Sequence, residues 1–198
     1  TMKNKIWEFN PDTLEWKKLG SKNFPCVSKQ RQGHSCCVYN HKLYFYGGKA
    51  KAGEFTFFPD LEVFDIHEKT WESPLLSTAI LKPRKNHIAK IIGNQMVIQG
   101  GITEDGTYLS DVFCFNFDLK KFQAVYTHDD SPGPRIAYHS GCIVAPSEVI
   151  YSVKSQIYVY ENSNKKRISY PTGMYIFGGK DSDLSINSAD LYLLSLGR

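Results

Sequence analysis

Leu43-Tyr44-Phe45-Tyr46-Gly47-Gly48 returns as Gln95-Met96-Val97-Ile98-Gln99-Gly100-Gly101 and again as Gly173-Met174-Tyr175-Ile176-Phe177-Gly178-Gly179. Each copy is a short apolar or aromatic run that stops at a Gly-Gly pair. Such a run is too short for a helix and rich in strand formers, so it reads as a buried strand. Two successive glycines free the backbone for positive φ and let another chain segment come close. Three copies in one setting mark a repeat protein.

Other columns keep step with the glycines. Upstream of the pairs lie Arg31 and His34, Arg84 and His87, and Arg135 and His139. Downstream come the runs Asp60 to Asp65, Asp111 to Asn116 and Asp190 to Ser195. Trp71 stands six residues after Asp65, Phe122 six after Asn116, and Trp16 six after Asn10, so the N-terminus repeats this half alone. Gly47 and Gly100 are 53 residues apart, whereas Gly100 and Gly178 are 78 apart. The third repeat therefore carries an insertion, over about 146–172.

The ordered set of columns resembles the kelch family. That pattern has Arg-x-x-His before a first strand, a hydrophobic second strand ending in Gly-Gly, a third strand after Asp, and a Trp in the fourth. The period matches as well, since kelch repeats recur at about 50 residues. The resemblance covers nearly the whole chain outside the insertion. Phe122 stands where the second repeat should have Trp, and Arg135 and His139 are one residue further apart than the other pairs. The resemblance implies an all-β fold: a kelch-type β-propeller fragment of four-stranded antiparallel blades.

Chain organisation follows from the same columns. Residues 5–19 read as the third and fourth strands of a first blade, 31–73 as repeat 1, 84–125 as repeat 2, and 135–196 as repeat 3 with its insertion. Asn10, Asp65 and Asn116 share a column in which a short polar side chain can bond the backbone two residues on. Within the insertion, Ile150–Val153 and Gln156–Tyr160 alternate like an extra hairpin, followed by a polar, mobile tail from Glu161 to Arg167. Leaving that hairpin aside, the count is thirteen strands. Propellers close with four to eight blades of four strands, so the chain is expected to be about half of a six-bladed ring, excised from a larger protein and able to self-associate.

The composition is that of a globular protein, 41% hydrophobic and 22% charged. A net charge of +4 is too mild to point to nucleic acid. No apolar run approaches the roughly 18 residues of a membrane helix, and no signal peptide opens the chain. Five cysteines without C-x-x-C spacing read as reduced thiols of a cytoplasmic protein, with the nucleus as the other compartment.

Most repeated residues belong to the fold. Gly47, Gly48, Gly100, Gly101, Gly178 and Gly179 shape the turns, and Trp16, Trp71 and Phe122 read as packing between blades. The histidine column lacks metal-ligand spacing, so no metal and no cofactor is expected. Arg31, Arg84 and Arg135 admit two readings. They tie a blade to its neighbour through Asp60, Asp111 or Asp190, or they form a basic ring that captures acidic groups of a peptide. Phe55, Phe57 and Phe58 crowd one loop, either tucked under it or forming a contact patch. Aperiodic loops on one face then carry the function. The expectation is a non-enzymatic protein-interaction module, part of a larger adaptor or regulatory protein, recognising a protein or peptide. An enzyme's propeller of the galactose-oxidase-like or phosphatase-linked kind, or a cytoskeletal cross-linker, is the alternative, although no catalytic motif is recognisable.

Overall fold

The structure, a computed structural model, describes residues 6–20, 30–50, 56–74, 81–125, 133–144, 158–161, 164–167, 173–181 and 191–195. Among these there is no helix. A first hairpin joins β1 (Ile6–Asn10) to β2 (Glu15–Leu19). The first complete blade is an antiparallel meander of β3 (Ser35–Tyr39), β4 (Lys42–Tyr46), β5 (Leu61–Asp65) and β6 (Thr70–Glu72). The second blade repeats it with β7 (Ile88–Ile92), β8 (Gln95–Gln99), β9 (Val112–Asn116) and β10 (Lys121–Val125). The third sheet has β11 (Ser140–Val144), then the separate hairpin of β12 (Tyr158–Glu161) and β13 (Asn164–Arg167), then β14 (Gly173–Phe177) and β15 (Leu191–Ser195).

The insertion corrects one expectation. Tyr158 pairs with Arg167 and Glu161 with Asn164, so the polar segment expected to be a mobile tail supplies the second strand of a hairpin. Ile150–Val153 lies outside the described residues.

The repeated turns explain why the strands stop where they do. Asn10 Oδ1 accepts the amides of Asp12 at 2.8 Å and Thr13 at 3.2 Å. Asp65 Oδ1 accepts those of His67 and Glu68, both at 2.9 Å. Asn116 Oδ1 accepts those of Asp118 at 3.0 Å and Leu119 at 2.9 Å. Each turn then passes through a left-handed residue, Leu14 (φ 56°), Lys69 (54°) or Lys120 (51°), before the outer strand. Across that turn an aromatic pair recurs: Phe9 on Trp16 at 4.9 Å, Phe64 on Trp71 at 5.1 Å, Phe115 on Phe122 at 5.0 Å.

The second blade is buried on both faces, which is why its inner strands lack polar alternation. Met96, Ile98, Phe113, Phe115 and Phe122 pack against Cys37, Tyr46 and Leu61 of the first blade. Val97, Val112 and Cys114 pack the other way, against Met174 and Ile176 of the third sheet. Phe122 therefore does pack between blades, meeting Tyr46 at 5.6 Å. Trp71 lies on its own sheet, against Phe45 at 5.4 Å and Phe64. Trp16 departs from expectation: it is 66% exposed. Its column faces the preceding blade, and in the first hairpin that side is solvent.

Candidate functional site

The Gly-Gly pairs are the joints between blades. Gly48 N–H donates to the Arg84 carbonyl, and Gly101 N–H to the Ile136 carbonyl, each at 2.8 Å. In return Asn86 N–H donates to the Gly33 carbonyl at 2.7 Å, and Tyr138 N–H to the Asn86 carbonyl at 2.9 Å. The first glycine of a pair leaves room for the next blade: a Cβ on Gly47 would lie 3.0 Å from His87 Cε1, and one on Gly100 the same distance from His139 Cε1. His87 and His139 are thus wedges seated against the glycines of the preceding blade. Ser35 Oγ and His87 Nε2 lie 2.8 Å apart. Burial pulls the His87 pKa down from 6.5 to about 3 and that of His139 down to about 4. Among the described residues no three His, Cys, Asp or Glu side chains gather into a metal-binding group.

The arginines do not form a basic ring. Arg84 is fully buried; Nη1 donates to the Gly100 carbonyl at 3.0 Å and Nη2 to Asp111 Oδ2 at 2.9 Å. Arg31 repeats this, with Nη1 donating to the Gly47 carbonyl at 3.0 Å and lying 3.1 Å from Asp60. Its Nη2 lies 3.1 Å from the buried Glu62. The acidic partners are those anticipated at 60 and 111, but each arginine ties strands of its own blade, and the backbone joins the blades. Asp190 lies outside the described residues. Arg135 is exposed, and Ile136 takes its column: Ile136, not Arg135, is buried and offers the carbonyl to Gly101.

The loop aromatics divide as well. Phe58 is buried beneath the Arg31 guanidinium, 4.7 Å from its ring centre. Phe57 is half-buried, and Lys85 Nζ of the next blade lies 5.6 Å from its ring centre. Phe55 lies outside the described residues.

Sequence reading missed what lies just beyond the joints. The strand pairing interrupted by Gly-Gly resumes as single bridges. Lys49 is flanked by Gln32 and Phe57, Ile102 by Lys85 and Tyr108, and Lys180 pairs with Ala137. Directly opposed residues share one side of a sheet, so these bridges lay a ledge of lysine and aromatic side chains across the blades. Beside it an open cleft of about 490 Å³ is lined by Lys82, Pro83, Thr103, Glu104 and Asp105. Thr103 N–H donates to the Thr107 carbonyl at 3.0 Å, Thr107 N–H donates to Asp105 Oδ1 at 3.2 Å, and Gly106 turns at φ 83°, so this loop holds its own shape. The signal for the ledge was a fixed offset: Lys49, Ile102 and Lys180 each follow a Gly-Gly pair directly.

Four-stranded meanders, Gly-Gly joints between inner strands and a buried Arg–Asp tie in each full blade define a kelch β-propeller assembly. A family model described as the KLHDC2/KLHL20/DRC7 Kelch-repeats domain matches residues 1–167, and the chain belongs to that family. Among similar proteins are the Rab9 effector protein with kelch motifs of Bos taurus, 27% identical over 54% of this chain and 28% of its own length, and host cell factor 1 of Homo sapiens, 24% identical over 75% of this chain and 8% of its own. The Rho GTPase-activating protein gacHH of Dictyostelium discoideum is 27% identical over 61% of the chain and 8% of its own length. The chain thus spans less than a third of the length of these relatives.

Proposed function

We propose that this chain is a protein-interaction module. It recognises a protein or peptide through the loop face beyond the Gly-Gly joints and works within a larger adaptor or regulatory protein. In this reading it supplies about half of a six-bladed ring and recognises rather than catalyses. One observation carries it. The periodic charged residues Arg31 and Arg84 are buried and engaged by the fold, which leaves the exposed, non-repeating loop chemistry for recognition. Kelch motifs in an effector protein, as the Bos taurus relative is named, support the same reading. The described cysteines Cys36, Cys37, Cys114 and Cys142 are free thiols, and burial pushes the Cys37 and Cys114 thiols up to about 11. Free thiols fit a cytoplasmic or nuclear setting.

The test compares two faces. In one variant Thr103–Gly106 carries an unrelated loop of equal length; in the other the exposed Lys121 and Gln123 of β10 are changed. Cross-linking in cells followed by mass spectrometry should show partners lost in the first variant and kept in the second. Partners kept in the first and lost in the second would refute a loop-face interaction.

A further inference from the structure

The ledge beyond the joints has a chemistry of its own. Gln32, Lys49 and Phe57 stand abreast on the first blade, and Lys85, Ile102 and Tyr108 on the second. Gln32 is exposed; Lys49, Phe57, Lys85, Ile102 and Tyr108 are half-buried. Lys85 crosses the joint to lie over Phe57, so the two triplets meet at one point. Among the described residues no carboxylate pairs with Lys49 or Lys85, in contrast to Lys42, which lies 2.9 Å from Glu72 and 3.6 Å from Asp65. Two cations beside one aromatic ring, partly withdrawn from water, repel each other; burial and the Lys49 charge together hold the Lys85 pKa below its ordinary value. An incoming anion would relieve both penalties. The backbone here is fixed by paired bonds, Lys49 with Gln32 at 3.0 Å in each direction and Lys85 with Ile102 at 3.0 and 2.9 Å, so the points from which both lysine side chains leave the main chain are set before any ligand arrives.

We propose that Lys49, Lys85 and Phe57 form a subsite for an acidic side chain of a partner peptide, with Ile102 and Tyr108 receiving an apolar residue next to it. This rests on the interaction-module reading and names the chemistry of that face. Glu104 and Asp105, exposed on the loop after Ile102, set the boundary, since they repel a second carboxylate there. The ligand is thus an acidic residue followed by an apolar one, not a uniformly anionic polymer. Single-stranded nucleic acid would instead need a row of stacking rings along a continuous basic groove. The described ledge breaks that row with Ile102 and the acidic boundary.

The experiment measures fluorescence anisotropy of an acetylated, amidated peptide carrying Asp or Glu beside Leu, titrated with the 198-residue chain. Blocked ends leave only side chains charged. The comparison probes are the same peptide with Lys in place of each acid, and a single-stranded RNA of similar length. The acidic peptide should bind, and its affinity should fall as salt is raised. K49E together with K85E should weaken it by about tenfold or more, and the milder K85Q by a few-fold. K17E with K18E, an equal charge change on the exposed first hairpin, should leave it unchanged. Circular dichroism checks that each variant keeps its strand spectrum, and K85Q keeps the test decisive where K49E/K85E does not fold. Equal binding of the Lys-substituted peptide, tighter binding of RNA, or unchanged binding by K85Q and K49E/K85E would each overturn the subsite. Loss of partners on changing Thr103–Gly106 would stand regardless, so the two failures are distinguishable.

Discussion

A methyl group on Gly47 would sit 2.5 Å from the Arg84 carbonyl oxygen, at a φ of +66°. Backbone cannot move aside as a flexible side chain does, so the strain of the left-handed region adds to the steric one. Gly47→Ala should cost about 3 kcal/mol, read from the urea midpoint. Gly93→Ala meets open space at φ +57° and should cost only about 1 kcal/mol. Acid tests the histidine wedges. The folded pKa of His87 lies below its ordinary 6.5, near 3, so the native state binds fewer protons than the unfolded chain between those values. Stability should therefore be full above pH 6.5 and fall with acid, by about 1.4 kcal/mol per pH unit from this residue alone once well below 6.5. The fall of the urea midpoint from pH 7 to pH 4.5 checks this, and His87→Asn should make it shallower. The columns of glycine, arginine and histidine were plain in the sequence because the fold needs each once per blade. What each touches was not, since Gly47 meets His87 across 40 residues of chain. The four-residue interval from Arg135 to His139 was the legible sign that this arginine had left its column.

Each outer turn is anchored by one short side chain. Asn116→Ala removes the acceptor of two amides and should destabilise the second blade by about 1 kcal/mol, with Asn116→Asp retaining most of the stability; thermal denaturation of both variants checks it. These hairpins were legible because asparagine or aspartate, then an aromatic six residues on, is a local code. The fate of that aromatic is not local. Phe122 is buried because Tyr46 of the preceding blade covers it, and Trp16 is exposed on the same side of its own hairpin. In the insertion only the strand around Tyr158–Tyr160 was legible, and its partner was not, because Asn164–Arg167 has no apolar alternation to mark it as a strand. The ledge of Lys49, Phe57 and Lys85 was hidden for a further reason: its positions after each Gly-Gly pair recur, but single bridges carry too few residues to show which side chains stand opposite them.

Across the whole molecule, burial is uneven in a regular way. The middle blade is covered on both faces, whereas the sheets on either side of it keep exposed apolar side chains. On the third sheet Phe177 is 56% exposed and Leu191 66%; on the first blade Val38 is 59% exposed. Contiguous apolar surface of this kind favours association. Phe177→Thr with Leu191→Lys should raise the solubility limit in low-salt buffer without lowering the melting temperature, because neither side chain packs between the second blade and the third sheet. Light scattering against concentration, with a thermal melt alongside, checks both halves of that expectation.

The joint between blades is written almost wholly in main-chain atoms and missing side chains: two amides, two carbonyls and a glycine. A contact of that make is indifferent to most substitutions. Loops are then free to diverge so long as the glycine pairs stay, which fits the low identity, 24% and 27%, of the relatives. It also makes the repeat a transferable unit. A duplicated copy carries a backbone donor and acceptor for each neighbour, so a lengthened or reshuffled array inherits its joints ready-made and has only the apolar faces between blades left to match.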